Sequence, residues 1–192
     1  MTSMWASAPS QALAPTGPAA RRIRVADGPT VRRIRPADAS RMRALRLEML
    51  ADSPLAFMET VAEAAARPHA EFEARIASDA VGQHSTRSVA EYGDRLVGHV
   101  GGFPSSEDPG LTVIFSVYLT PAWRGRGLLA QLIEDVAAWS RSVGRPELML
   151  EVVVGNDRAI RAYERLGFVD TGVRVPHPRL PTLTELQMRR TA

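Results

Sequence analysis

The amino-acid sequence predicts one α/β domain with a mixed, mostly antiparallel central sheet flanked by helices. Three observations carry that prediction. Strands rich in β-branched residues, such as "LTVIFSVYL" at 111–119 and "ELMLEVVV" at 147–154, are separated by a segment whose apolar residues recur at helical spacing. Two turn signals, Gly93-Asp94 and the Pro-rich "VPHPRLP" at 175–181, join neighbouring strands as hairpins. The length of 192 residues suits one domain with a sizeable core.

Residues 1–28 begin "MTSMWASAPSQALAPTGPAA", rich in Pro, Ala and Ser and without periodicity. They are expected to form a disordered leader, leaving 29–192 as the domain. "RRIRVAD" at 21–27 recurs as "RRIRPAD" at 32–38, an echo too short for a repeat architecture. The second copy is placed as the first strand, with Asp38 and Ser40 available to cap a helix from about 39 to 51. A shorter helical piece falls within 54–66 and another helix from about 69 to 78. Strands follow at 86–92 and 95–102, then the loop "PSSEDPG" at 104–110 and the strand at 111–119. Leu129, Leu132, Ile133, Val136 and Ala137 share one face of the next helix, which Gly144 and Pro146 end. After the strand at 147–154, Asn156 caps a short helix that runs through Leu166 and stops at Gly167. The last two strands are expected near 168–174 and 182–189.

Composition excludes several classes. The chain is 45% hydrophobic and 23% charged, and no apolar run approaches the ~20 residues of a membrane span, so no membrane partner is expected. Cysteine is absent, which excludes disulfides, zinc-thiolate sites and thiol nucleophiles. The first twenty residues place no basic residue ahead of an apolar core, so they do not read as a secretory signal, and a cytoplasmic location is expected. Every basic residue is arginine. Nine of the 24 arginines lie in residues 1–46 against Asp27 and Asp38, whereas the other fifteen face nineteen acids. The body is therefore mildly acidic, and no nucleic-acid partner is expected, because that would require a basic face on the folded domain. No His, Asp and Glu cluster has metal-ligand spacing, so no metal is expected.

The stretch "RGRGLLAQLIEDVAAW" at 124–139 places bare backbone and positive charge at the mouth of a helix. The first turn of a helix has unpaired N–H groups and the positive end of the macrodipole, so the fitting ligand is an anion. Gly125, Gly127 and Ala130 satisfy G-x-G-x-x-G/A. A dinucleotide fold would put its first glycine at the strand end, but "TPAWR" separates Leu119 from Gly125, and about sixty residues then remain. No Gly-Lys-Ser/Thr follows, which removes a P-loop, and the flanking strand and helix do not suit an RGG-type RNA segment. The bland alternative is a loop that uses glycines only to turn.

The second half of the chain narrows the choice. "VYLTPAWRGRGLLAQLI", followed some thirty residues on by "LMLEVVVGNDRAIRAYERLGF", resembles the GNAT superfamily of acyl-CoA-dependent N-acetyltransferases over roughly residues 30–190. The pattern Arg/Gln-x-x-Gly-x-Gly/Ala falls on Arg124, Gly127 and Leu129, with Leu129 departing from the family's small residue. A second pattern falls on Asn156, Ala159, Tyr163, Gly167 and Phe168. The resemblance implies a single-domain GNAT-like fold and acetyl-CoA as cosubstrate. It further implies that Val117, Tyr118 and Leu119 offer backbone groups to the pantetheine arm. Main-chain N–H groups of Arg124, Gly125, Arg126, Gly127, Leu128 and Leu129 would hold the pyrophosphate, with arginine side chains adding charge-assisted contacts. Asn156 would touch the cofactor or simply cap its helix. Many relatives dimerise, so a homodimer is a further expectation.

Acetyl transfer to an amine requires a neutral nucleophile. A lysine-like amine of pKa ~10.4 loses its proton at a cost of roughly 4.6 kcal/mol at pH 7, so a positioned base is useful. Glu151 interrupts the apolar run "LMLEVVV", where a carboxylate is expensive to bury, and should open onto a polar cleft. Its position, five residues before Asn156 and twelve before Tyr163, also looks like that of the base in ribosomal-protein-alanine N-acetyltransferases. Tyr163 would meet the leaving thiolate of coenzyme A. The implied activity is transfer of acetyl from acetyl-CoA to a primary amine, small molecule or peptide, by direct attack in a ternary complex. The alternative is a non-catalytic acyl-CoA-binding regulatory or interaction module. Weaker expectations place His177 as a solvated loop histidine and Glu59 on a surface helix, and pack Trp123 against the helix that follows it.

Overall fold

The computed structural model describes residues 28–82 and 84–192, and in it seven strands form one sheet in the order β1-β2-β3-β4-β5-β7-β6. The strands are β1 (Thr30–Arg33), β2 (Thr86–Tyr92), β3 (Arg95–Pro104), β4 (Leu111–Leu119), β5 (Glu147–Val153), β6 (Val169–Pro176) and β7 (Thr184–Thr191). The helices are α1 (Ala39–Asp52), α2 (Val61–Ala66), α3 (His69–Val81), α4 (Leu128–Ser142) and α5 (Asp157–Arg165). All neighbours are antiparallel except β4 and β5. The leader expected over 1–28, with its copy of "RRIRVAD", lies outside the described residues except for Gly28.

Two cores cover opposite faces of the sheet. Because side chains alternate along a strand, adjacent residues feed different cores: Val89 of β2 packs with α1 and α3, and Ala90 packs with α4. Helix α1 turns Ala39, Met42, Leu45, Met49 and Leu50 inward and stops where Ser53-Pro54 begins. Helix α4 buries Leu128, Leu132, Ile133, Val136, Ala137 and Trp139. The buried stripe thus begins at Leu128, and Leu129, expected on that face, is only half-buried at its edge. Gly144 has φ +76° and terminates α4 as expected. On β5, Leu148, Leu150 and Val152 join the α4 core, which leaves Met149, Glu151 and Val153 on the opposite face.

Asp38 occupies the N-cap position of α1 but does not cap it. Its fully buried carboxylate instead accepts from the Arg35 N–H at 2.8 Å and from Arg32 at 2.7 and 3.0 Å, and pairs with Arg41. Cationic donors out-compete a neutral helix amide for a carboxylate, and the result ties β1 to α1. Ser40 does not cap either; its hydroxyl lies 3.4 Å from His69 Nε2.

The sheet opens between β4 and β5. They pair only where Leu111–Val113 meet Glu147–Met149, whereas β5 stays paired with β7 as far as Val153. Strand β4 bends away through a bulge: His99 faces Tyr118 and Gly101 faces Phe115, so Ser116 and Val117 together oppose Val100. Ser116 is the one non-glycine residue with positive φ, +51°, among the described residues. From Ile114 to Leu119 the edge of β4 that looks toward β5 therefore has no partner strand.

Candidate active site

A cleft of about 740 Å³ occupies this opening. One wall is β4 from Ile114 to Leu119, the other is β5 from Leu150 to Val153, and one face of α5 closes it through Ala159, Ala162, Tyr163 and Leu166. Ser53, Ala56 and Phe57, in the segment after α1, also line it.

At one mouth stands the glycine-rich turn before α4. Gly125 and Gly127 have φ +73° and +77°, a region that costs other residues roughly 1–2 kcal/mol. A Cβ built on either would meet nothing within 4 Å, so it would project into open space at the cleft mouth. Gly127 is the N-cap and offers no side chain to the first turn of α4. The main-chain N–H groups of Gly125 to Ala130 find no acceptor among the described residues, and only at Gln131 does the helix close, onto the Gly127 carbonyl at 3.4 Å. Six unpaired donors in and before the first turn of a helix suit a polyanion such as a diphosphate. Arg158 and Arg165, seven residues apart on α5 and so on one face of it, also line the cleft and make no ion pair among the described residues.

The side chains expected to assist are placed unequally. Val117, Tyr118, Leu119, Arg124, Gly125, Gly127, Leu129 and Asn156 all line the cleft; Arg126 and Leu128 do not. The Leu128 side chain belongs to the core, leaving only its N–H for a ligand, and the Arg126 guanidinium stacks over Trp123 at 5.1 Å. Trp123 in turn packs on Tyr92, with ring centroids 4.9 Å apart. Arg124 donates to the Leu119 carbonyl at 2.9 Å, pairs with Asp52 and lies 5.6 Å over the Tyr118 ring. Its side chain thus fixes the end of β4 to α1. The Tyr118 phenol is buried on the α1 side, where burial first and the Asp52 and Glu48 charges next push it up to about 12, so this residue offers the cleft its backbone.

Glu151 projects from β5 into the cleft on the face opposite α4 and is exposed. Tyr163 reaches the cleft from α5, with Phe168 edge-on at 5.9 Å. Burial alone raises its phenol well above the usual value of 10, and no hydrogen bond to the chain offsets this. Asn156 does cap α5: its Oδ1 accepts from the Ala159 N–H at 3.3 Å, leaving the amide NH₂ for the cleft.

Other residues of the site escaped the sequence reading. Glu185 of β7 lines the cleft, and its carboxyl is held above the ordinary value by burial, with the Glu151 charge adding to the shift and His177 opposing it. His177 is 1% exposed, contrary to the expectation of a solvated loop residue, because its Nδ1 accepts from the Arg179 and Leu180 N–H groups at 3.2 and 3.1 Å and folds the hairpin over it. Glu59 lies in the bend after Phe57, not on a helix, and is paired with Arg46 at 2.8 Å and Arg67 at 2.5 Å. Arg179 crosses from the β6–β7 hairpin to the Met58 carbonyl at 2.9 Å and to Glu63 at 2.6 and 2.9 Å, strapping the hairpin to the segment after Phe57 and to α2. The only signals in sequence were the arginine spacing of α5 and the Glu-Leu-Gln-Met alternation of β7.

Residues 47–168 match the family model described as the Acetyltransferase (GNAT) family. The chain belongs to the GNAT acetyltransferases. Among curated relatives, the protein named "Probable N-acetyltransferase family 8 member 5" from Mus musculus is 31% identical over 131 residues, covering 67% of this chain and 55% of the relative. Mycothiol acetyltransferase of Corynebacterium glutamicum is 37% identical over 76 residues, covering 40% of this chain and 25% of that protein. The chain thus spans about half or less of the length of these relatives. Solved GNAT structures share the fold. A Salmonella typhimurium acetyltransferase structure containing its cofactor acetyl-CoA aligns with TM-score 0.68 and 18% identity, covering 86% of this chain and 94% of the other. Spermidine N-acetyltransferase from Vibrio cholerae, in complex with CoA and spermine, aligns with TM-score 0.65 and 19% identity, covering 86% and 96%.

Proposed function

We propose that this chain transfers the acetyl group of acetyl-CoA to a primary amine by direct attack in a ternary complex. The observation that carries this reading is the opened β4–β5 seam running from six unpaired main-chain donors at Gly125–Ala130 to Tyr163 and Glu151. The donors would hold the diphosphate, and the unpaired edge of β4 would hydrogen-bond the pantetheine amides as a neighbouring strand would. Acetyl-CoA supplies the acyl group already activated as a thioester. Glu151, open to water and to the acceptor side, takes the proton whose loss makes the amine nucleophilic. Tyr163 stays protonated: full proton transfer from a phenol of pKa ~10 to a thiolate of ~8.5 is already uphill by about 2 kcal/mol, and its burial adds to that. It therefore acts as a hydrogen-bond donor at the leaving sulfur. The cytoplasm, which supplies acetyl-CoA, is the location this reading favours.

The test has two steps. Acetyl-CoA should raise the melting temperature, and a panel of primary amines should then produce thiol release. Stabilisation without release for any amine would favour the non-catalytic module; no stabilisation would remove the cofactor reading itself.

A further inference from the structure

The open face of the sheet, opposite α4 and α5, carries a diagonal of three titratable residues that the register fixes. Glu151 of β5 stands across from Gln187 of β7. Glu185 lies two residues along β7 on the same face, and opposite it on β6 stands Val175. His177 lies two residues beyond Val175, where its N–H bonds to the Leu183 carbonyl at 2.9 Å. Diagonal neighbours of this kind have backbones ~7–8 Å apart, so two glutamates reaching toward each other leave room for one small ion between them.

The cations on this face of the sheet are already matched, and the cleft's unpaired arginines, Arg158 and Arg165, stand on α5, which packs on the α4 side. Arg46 and Arg67 hold Glu59, Arg179 holds Glu63, and Arg174 holds Asp170 at 2.7 Å. Arg189, further along the same face, lies 3.5 Å from Glu147 and 3.6 Å from Asp108. Neither Glu151 nor Glu185 has an arginine partner among the described residues. His177, with Nδ1 committed to two backbone amides, has only Nε2 left for other partners and makes no hydrogen bond to Glu185 among the described residues. Two carboxylates in one cleft beside Tyr163, neither paired with an arginine among the described residues, form a seat for a cation that arrives with the acceptor.

Building on the acetyltransferase reading above, we propose that Glu185 forms with Glu151 a paired-carboxylate seat for the acceptor's ammonium. The protein then selects alkylammonium acceptors over amines that are neutral at pH 7. The ammonium docks charged between the two carboxylates and loses one proton to Glu151, while Glu185 keeps the nitrogen oriented toward the thioester.

Benzylamine and aniline separate the cases, since they are similar in shape but only benzylamine is an ammonium ion at pH 7. Calorimetric titration into CoA-saturated protein reads binding without turnover. Wild type should bind benzylamine at least tenfold more tightly than aniline; Glu185→Gln should lose about tenfold for benzylamine, ~1.4 kcal/mol, and leave aniline unchanged. Glu185→Asp should recover part of the loss, and CoA affinity should be the same in all three proteins. In turnover the loss should fall on the acceptor KM, leaving that for acetyl-CoA alone. Equal benzylamine affinity in wild type and Glu185→Gln, or equal binding of the two amines by wild type, would overturn the proposal. Absence of CoA binding by wild type would instead strike the cofactor reading, and is read separately from the first titration.

Discussion

Gly127→Ala paired with Gly144→Ala isolates the cofactor cradle from backbone strain. The two glycines have φ +77° and +76°, and in each case an added Cβ meets nothing within 4 Å. Both substitutions therefore carry the same penalty of roughly 1–2 kcal/mol for a left-handed alanine. In a domain of this size each kcal/mol lowers the melting temperature by about 2–4 °C, so both apo variants should fall by about 2–8 °C. They differ in place: Gly127 caps the N-terminus of α4 at the cleft mouth, and Gly144 ends the same helix at its far end. With acetyl-CoA at 100 times its Kd, ligand linkage adds about 2.7 kcal/mol to wild type and to Gly144→Ala. A methyl group in the cradle that weakens binding tenfold cuts the gain to about 1.4 kcal/mol. Differential scanning calorimetry of the three proteins, with and without acetyl-CoA, measures both quantities. Equal ligand-induced shifts in the two variants would refute the diphosphate cradle.

Tyr163→Phe should lower thiol release on the order of 10²-fold while leaving acetyl-CoA affinity unchanged, measured by coupled thiol detection and calorimetry. Glu151→Gln should cost more with a lysine-like acceptor than with an α-amine, because the base spares roughly 4.6 kcal/mol in the first case and about 1 in the second. Asp38 is held at about 2, since donors from Arg32, Arg35 and Arg41 outweigh the upward push of its burial. Its folded value lies below the ordinary 3.8, so its contribution of about 2 kcal/mol is complete above pH 4 and disappears as pH falls through 2. Acid titration of Asp38→Asn should thus show lower stability at pH 7 and a shallower loss between pH 4 and 2. Gly98→Ala places a Cβ 2.9 Å from the Tyr118 carbonyl oxygen, as well as against the Leu119 side chain, and so pushes the main chain of β4, which should raise the Kd for acetyl-CoA; Gly102→Ala, whose nearest neighbours are the Val136, Thr112 and Thr86 side chains outside the cleft, should spare it. Similar Kd changes in both would show that the β4 backbone does not engage the cofactor.

The order of elements was legible because each carries its own punctuation. Strand β2 falls at 86–92 as read, and α5 runs from an Asn156 cap to Gly167 with φ +85°. What could not be read is whatever depends on register or on competition between partners. The bulge at Ser116 and Val117 leaves no trace in "LTVIFSVYL", since the alternation that would expose it is broken by a doubly buried strand. Glu185 needs the pairing of β5 with β7 to meet Glu151, 34 residues away in sequence, and sequence says nothing about that pairing. Arg124 looked like a phosphate ligand, but Asp52, 72 residues away, claims its guanidinium. Leu129, the departure from the small-residue pattern, lines the cleft half-buried while its neighbour Leu128 takes the core position.

The opening in the sheet also sorts charge. On the α4 side, the free amides of Gly125–Ala130 with Arg158 and Arg165 make a positive rim; on the opposite face, Glu151 and Glu185 make a negative floor. Nearly every other ionic group around the cleft is neutralised in place, Arg124 by Asp52 and Glu59 by Arg46 and Arg67. Local fields therefore dominate over the small net charge of the body, and a low-dielectric cleft strengthens them. On the proposed function, an anionic cofactor and a cationic acceptor would be drawn to different sides of one sheet and would meet only where β4 and β5 part. Because Ser116 and Val117 produce that parting, straightening the bulge would close the seam and remove both functions together, whereas neutralising either rim would remove only one.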